Sequence, residues 1–322
     1  MDIIFMGTPD FALPSLRRLA DVSHHNILAV VTQPDRPKGR HLHRTYPSPV
    51  KQLAGELGLR VVQPQSVNEP EILRKLKDMG PDLIVVVAFG QRLSREFLEI
   101  PKTACINLHA SLLPKYRGAA PVIRAIVNGE KITGVTAQKI VYEMDAGDII
   151  DSEVIEIGPD DTAGDLEPKL SEMAGNLLIK VLDAYEHSTI SYSPQQEELV
   201  SHAPRVKKED GLINWNQPPE KIHNFIRGMN PKPGAFSFLP DQDGRSKKRL
   251  IILRSRSETQ RESQEPCKPG TILNTSDQGI EVATAGNSLW ITQLQPEGKK
   301  KMTAHEYLLG HQMDKGECLM SE

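Results

Sequence analysis

The chain has 322 residues, 38% of them hydrophobic and 25% charged, with a formal net charge of −3 at pH 7. That length suits about two domains, the composition excludes a disordered chain, and the charge argues against a protein that coats DNA indiscriminately. No apolar run approaches the ~20 residues that span a bilayer, and the three cysteines, Cys105, Cys267 and Cys318, form no CxxC pair, so neither a disulfide framework nor a zinc site is expected and a reducing cytoplasm is the simplest compartment.

Ile3, Ile4, Phe5 and Met6 form an apolar run that ends at Gly7, a predicted buried strand that leaves no room for a signal peptide. Leu13, Leu16 and Leu19 then recur at helical spacing. The turn between them holds one glycine and no GxGxxG, so a nicotinamide dinucleotide site is not indicated. Residues 27–31 are a second predicted strand. The stretch 32–47 contains three prolines and almost no apolar residues, and it carries Arg36, Lys38, Arg40 and Arg44 against the single acid Asp35. It reads as a long exposed loop suited either to solvent or to a polyanion. His41 and His43 lie two apart with no third ligand nearby, so no metal is expected there.

Ser48 followed by Pro49 predicts a helix start. Residues 59–62 form a third predicted strand, and Asn68 with Glu71 resembles a capping box before the next helix. Residues 83–87, Leu-Ile-Val-Val-Val, predict a central parallel strand buried on both faces, opening into Ala88, Phe89 and Gly90. The β-α alternation to this point predicts a doubly wound, Rossmann-like α/β sheet, mostly parallel.

Residues 105–109 alternate, with Cys105, Asn107 and His109 on one side and Ile106 and Leu108 on the other. Asn107 and His109 therefore share a face at the end of a strand, about 6–7 Å apart. The segment runs into a loop punctuated by Pro114, Gly118 and Pro121, and strand C-termini that open into such loops are where open α/β sheets build their sites. The plainer reading is that both residues cap a buried strand. A helix over 121–127 and strands over 134–141 and 148–157 follow. Asp145 sits in the acidic turn between those strands, beside Gly147, which would let backbone approach a ligand. Asp148 reads as an ordinary turn-closing acid. Asp160, Asp161 and Thr162 cap a long helix in which Pro168 must lie in the first turn or form a kink.

The polar stretch 189–204 is the predicted boundary between a domain of residues 1–188 and one of residues 205–322. Beyond it, a short strand over 213–215 and a helix over 218–227 precede five short strands at fairly regular intervals, which predicts a small C-terminal β-barrel. A helix over 304–309 follows. Basic clusters stand at Arg205, Lys207 and Lys208, at Lys247, Lys248 and Arg249, and at Lys299, Lys300 and Lys301. Each is either a solvated face or part of a divided anion-binding surface.

An amide, an imidazole and a carboxylate at sheet-edge loops suit acyl transfer to an amine. Asn107 and His109 would stabilise a developing oxyanion and Asp145 would orient the imidazole or help move the amine proton. No serine or cysteine is paired with a base, so no covalent acyl-enzyme is indicated.

Asn107-x-His109 followed by Ser-Leu-Leu-Pro and Tyr-Arg-Gly-Ala-Ala-Pro, and then Met-Asp-Ala-Gly-Asp at 144–148, resembles the folate-dependent formyltransferase family. Gly7-Thr8-Pro9-Asp10-Phe11-Ala12, Thr-Gln-Pro-Asp-Arg-Pro with Gly39-Arg40, Ser48-Pro49-Val50-Lys51, Asn230-Pro231-x-Pro233-Gly234-Ala235 and Gly270-Thr271-Ile272 extend that likeness to about residue 310. The resemblance implies a formyltransferase fold followed by an OB-like barrel. It implies Asn107, His109 and Asp145 as the catalytic trio. It implies 10-formyltetrahydrofolate as co-substrate, lying against Ser111, Leu112, Leu113 and Pro114, with its pterin near Val87, Ala88, Phe89 and Gly90. These motifs further imply transfer to the amino group of methionyl-initiator tRNA, held by Arg36, Lys38, Arg40, Arg44, Lys207 and Lys208, with the basic loop at the acceptor stem and the barrel behind. The expected working unit is a cytoplasmic monomer without metal or membrane. The chain departs from the family at residues 41–44, where Gly-Lys-Lys-Leu is usual, at Lys232 in place of a common tryptophan, and at Pro168. Alternatives are a small amine acceptor, such as glycinamide ribonucleotide or an amino sugar, and a non-catalytic RNA-binding relative. The single-domain purine enzyme has no need of residues beyond about 200 and lacks the Arg40 loop, and the intact trio argues against a dead relative.

Overall fold

A computed structural model describes residues 1–37, 45–240, 247–257 and 267–320. The chain packs into two compact units. The first comprises Met1–Pro121, Ile132–Glu156 and Glu167–Pro204; the second comprises Val122–Lys131, Ile157–Leu166 and Arg205–Glu322. The second unit therefore also takes in two segments that lie between stretches of the first unit in sequence.

Among the described residues the first unit has nine strands: β1 (Asp2–Gly7), β2 (Asn26–Val31), β3 (Arg36–Pro37), β4 (Thr45–Tyr46), β5 (Val61–Val62), β6 (Leu83–Val87), β7 (Ala104–His109), β8 (Ile132–Lys139) and β9 (Ile149–Glu156). Seven of them form one sheet in the order β5-β2-β1-β6-β7-β8-β9. Pairing is parallel from β5 through β7 and antiparallel for β8 and β9. The apolar runs explain the parallel centre. Ile3, Ile4, Phe5, Met6, Leu83, Ile84, Val85 and Val87 are all fully buried, as strands covered on both faces require. On one face Ile4, Met6, Val31, Ile84 and Cys105 pack with Leu76 and Phe97 from the helices α3 (Pro70–Asp78) and α4 (Arg95–Leu98).

From β1 the chain goes to β2 and β5 on one side and returns to β6 on the other. The sheet's topological switch therefore lies between β1 and β6, with Gly7 paired to Val87 at their C-terminal ends. Crevices for ligands open at such a point. Next to it, β7 runs parallel to β6, with Asn107 beside Val86.

Two local expectations are corrected. Asn68 caps no helix: α3 starts on Glu69 and Pro70 without a side-chain cap, and Asn68 instead joins the Arg92 carbonyl and the Ser94 amide. Of the two places expected for Pro168, the first turn is ruled out: it lies inside the long helix Ala163–Glu186, whose first turn is closed by reciprocal bonds between Thr162 and Asp165. Part of the basic loop is paired, β3 with β4 as an antiparallel ladder.

The second unit holds β10 (Ala235–Pro240), β11 (Lys247–Ser257), β12 (Ile272–Ser276), β13 (Gly279–Ala283), β14 (Ser288–Pro296) and β15 (Met302–Thr303), antiparallel in the order β10-β11-β14-β13-β12 with β15 on β14. Residues 317–320 bridge the two ends of that path. Met320 exchanges both backbone bonds with Phe238 of β10, Leu319 donates to the Gly270 carbonyl, and the Glu317 carbonyl accepts from Ile272 of β12. That linkage gives the sheet its barrel character. Ile252, Ile272, Ile280, Val282, Ile291 and Trp215 fill its interior. Trp215 donates to Ser237 Oγ at 3.1 Å, and Ser237 in turn donates to the Met320 carbonyl. Residues 213–215 form no strand. Ile213 makes one ladder bond to Phe236, after which the chain turns Trp215 into the core.

Candidate active site

The sheet's C-terminal edge gathers the predicted residues. His109 ends β7 and is 6% exposed. Its Nε2 lies 2.9 Å from the Tyr116 carbonyl. A carbonyl only accepts, so Nε2 carries a proton and Nδ1 is the ring nitrogen left for chemistry. Nδ1 stands 3.7 Å from Asp145 Oδ2, which is ion-pair range and too long for a hydrogen bond. The imidazole is thus oriented by the loop that follows it, and the carboxylate stands beside the free nitrogen.

Asp145 is fixed independently. Its Oδ2 accepts from the Gly118 amide at 2.8 Å and its Oδ1 from Gln138 Nε2 at 3.1 Å. Gln195 Nε2 holds the backbone of the same turn through the carbonyls of Asp145 (2.8 Å) and Gly147 (2.7 Å). Arg117, itself buried, donates to Gln195 Oε1 and to Glu197. A carboxylate has about four acceptor positions. Two are taken, which leaves two for a charged imidazole and a migrating proton.

Asn107 is half-buried on the same face as His109, and its side-chain amide makes no hydrogen bond to any described residue. It is a donor at the mouth of the sheet without a partner among the described residues. Cys105, on that same side of the strand, is 2% exposed, and burial pushes its thiol up to about 12. A thiol held so far above neutral pH is no nucleophile.

The loop after His109 is tied down at both ends. Thr136 Oγ1 donates to the Ser111 carbonyl and accepts from the Leu113 amide, and Ser111 Oγ donates to the Lys115 carbonyl. Leu112 and Pro114 are half-buried, while Ser111 and Leu113 are buried. Across the mouth, Val87 and Phe89 are buried whereas Ala88 and Gly90 are exposed. The Phe89 carbonyl accepts from Thr8 Oγ1 at 2.9 Å and Gln33 Nε2 at 3.3 Å, which joins the loops after β1, β2 and β6. Four described residues other than glycine have positive φ, and Ala88 (50°), Tyr116 (64°) and Asp145 (52°) are three of them. Backbone strain of this kind collects at functional sites.

This site sits on a chain that matches the formyl transferase family over residues 1–182 and the C-terminal domain of formyl transferases over residues 205–312. The chain belongs to the formyl transferase family. Among its relatives are the methionyl-tRNA formyltransferases of Geobacter metallireducens, 44% identical over 98% of this chain and 97% of that one, and of Halothermothrix orenii, 42% identical over 99% and 100%. Solved structures share the fold. The sugar 3N-formyl transferase WlaRD, determined with dTDP and 5-N-formyl-THF, superposes with a TM-score of 0.67 at 19% identity over 93% of this chain and 99% of that one. HypX from Aquifex aeolicus with tetrahydrofolic acid gives 0.59 at 20% identity over 95% and 46%.

In this formyl transferase the residues expected to meet RNA are less concentrated. Arg36 is exposed on β3 and donates to Gln33 Oε1 at 2.7 Å, the same Gln33 that reaches Phe89. Its neighbour Asp35 is clamped by Lys51 and Gln63, and the Gln63 hydrogen bond, with Lys51 second, holds its carboxyl below the usual range. Lys38, Arg40 and Arg44 lie outside the described residues. Lys207 and Lys208 are exposed and belong to the second unit.

Sequence reasoning passed over Tyr116, Gly118, Gln138 and Gln195. Gln138 carried a signal in the sequence only as an amide inside the predicted strand 134–141, seven residues before Asp145; the structure buries it opposite Asn107. Gly147 was expected to admit a ligand, but it lets the hairpin meet the Lys139 carbonyl, where any Cβ would collide. Gly118 has φ 128°, and an added Cβ would lie 2.6 Å from the Ala203 carbonyl oxygen. Gly118→Ala is therefore expected to lower stability by about 1–3 kcal/mol and to pull the Gly118 amide off Asp145. Urea unfolding measures the first effect and turnover the second.

Proposed function

We propose that this chain transfers the formyl group of 10-formyltetrahydrofolate to the amino group of methionyl-initiator tRNA. The observation that carries this reading is Asn107, His109 and Asp145 together at the switch-point edge of the sheet, in a chain similar end to end to methionyl-tRNA formyltransferases.

The rim fits a flat heterocycle. Exposed Ala88 lies between buried Val87 and Phe89, exposed Gly90 follows, and the Asn107 amide has no hydrogen-bond partner among the described residues. Val87, Ala88, Phe89 and Gly90 would hold the pterin, and Ser111, Leu112, Leu113 and Pro114 would hold the rest of the folate. When bound, the folate supplies the formyl carbon that the methionyl amine attacks. Asn107 donates to the formyl oxygen as negative charge gathers on it. His109 keeps its Nε2 proton on Tyr116 and offers Nδ1–H to that oxygen, while Asp145 stabilises the imidazolium. The spare lone pairs of Asp145 accept the proton that the attacking amine loses, directly or through one water; the tetrahedral adduct then collapses with cleavage of the formyl C–N10 bond, and that proton passes to N10 as tetrahydrofolate departs.

Arg36, Lys38, Arg40, Arg44, Lys207 and Lys208 act as phosphate contacts for the tRNA, and the chain works as a cytoplasmic monomer. No helix among the described residues is long and apolar enough to cross a membrane.

One assay tests the reading. The protein is incubated with 10-formyltetrahydrofolate and either methionyl-initiator tRNA or small amines, over a series of salt concentrations. Formylation of the tRNA is expected, with affinity falling steeply with salt. Arg40→Ala is expected to weaken tRNA binding and to reduce the magnitude of the log–log salt slope by about 1. Formylation of small amines alone would refute the tRNA reading. Retained tRNA binding without transfer would refute the catalytic one.

A further inference from the structure

The first unit carries a second cluster of chemical groups that the reaction does not use. His24 and His25 lie in the turn between helix α1 (Leu13–Asp21) and β2, before the first residue of β2. They are therefore at the N-terminal edge of the parallel strands, opposite the edge that holds His109. Asp183 and Glu186 lie in the last turn of the helix Ala163–Glu186. One donor atom from each of the four residues falls within 4.8 Å of every other.

Two observations say that this cluster is more than surface charge. His25 is 8% exposed, and both of its ring nitrogens are buried without a hydrogen-bond partner among the described residues. A buried imidazole with neither nitrogen bonded leaves two polar groups unsatisfied, which is rare unless something else binds there. The helix, moreover, ends on two acids with no basic residue in its last turn. That is the unfavourable sign for a helix C-terminus, and a bound cation reverses it.

We propose that His24, His25, Asp183 and Glu186 bind one divalent ion of the zinc class, which clips the turn before β2 to the end of that helix. Two imidazoles with two carboxylates suit zinc. Calcium and magnesium take oxygen donors. Tetrahedral zinc at 2.0–2.2 Å from its ligands has edges of about 3.4 Å, so the donors must close in by about an ångström. His24, Asp183 and Glu186 are exposed and free to rotate, whereas buried His25 is the fixed member. His24 already reaches Glu186 at 3.1 Å.

Protons compete for the same nitrogens. The groups facing His25 are His24, the Met1 ammonium, Asp183 and Glu186. Burial is the main cause lowering its pKa, which favours the neutral form that a metal needs. His187 is turned away to the Asp183 carbonyl.

The test uses the full chain, dialysed against chelator and titrated with zinc chloride at pH 7.5. One zinc per chain should be retained, and zinc at about a hundred times its Kd should raise Tm by about 5 °C. His24→Ala and Asp183→Asn change exposed side chains, leave the fold intact and should abolish the shift. Formyl transfer should not depend on the ion. No shift in the parent chain, or an equal shift in both variants, would overturn the proposal.

Discussion

His109→Ala is expected to lower kcat by about 10²–10⁴, the range that a positioned proton-transfer group contributes, with the fold retained. The imidazole does two things in the structure. It donates from Nε2 to the Tyr116 carbonyl and keeps Nδ1 beside Asp145. Alanine removes both and leaves a buried carbonyl without its donor, a cost of about 1–3 kcal/mol. That is a local loss. Thr136 still holds Ser111 and Leu113, and Ser201 Oγ still accepts from the Tyr116 amide. Circular dichroism should therefore be unchanged and Tm should drop by a few degrees. His109→Asn separates the two roles, because its amide can donate towards Tyr116 but cannot become an imidazolium. If it recovers Tm and not kcat, the loss belongs to chemistry. A normal kcat in either variant would end the case for His109 as the oxyanion's partner.

The parts of this site that could be read in the sequence are those fixed by local period. The alternation through Cys105, Asn107 and His109 gave the face, and the apolar runs ending at Gly7 and Val87 gave the neighbouring mouths, because strand geometry follows from adjacent residues. The residues that hold Asp145 were hidden where they come from far along the chain. Gln138 reaches Asp145 within the β8–β9 hairpin, seven residues away in sequence, but Gln195 joins them from 57 and 50 residues away. The proton on Nε2 was hidden for another reason: it follows from a backbone carbonyl, that of Tyr116, which the loop brings to the ring. Asn68 shows the reverse error. Its spacing to Glu71 has the form of a cap, yet tertiary partners at Arg92 and Ser94 took its side chain. In the barrel, the bridging of β10 and β12 by residues 317–320 had no local signature, since single bridges carry no period.

Asp145→Asn is expected to lower kcat by about 10²–10³ while leaving KM and Tm close to normal, and the reason lies in how little else it changes. Asparagine tolerates the φ of 52° that this turn imposes. Its carbonyl oxygen can keep the Gly118 amide, and its NH₂ then faces Gln138, whose own amide must flip to present oxygen. The flip sacrifices the 3.3 Å contact between Gln195 Nε2 and Gln138 Oε1, the longest in the network. Gln195 keeps its bonds to the Asp145 and Gly147 carbonyls. What disappears is the negative charge and the lone pairs facing His109 Nδ1, so an imidazolium gains no counter-charge and the amine proton has no acceptor. Asp145→Ala is the contrasting variant. It also strips both acceptors from Gly118 and Gln138 and puts alanine in the left-handed region, at about 1–2 kcal/mol, so Tm should fall with kcat. Loss of turnover in the asparagine variant without loss of Tm assigns the charge to catalysis. An asparagine variant within threefold of normal turnover would show that Asp145 only holds the turn, and the proton would then have to leave through water alone.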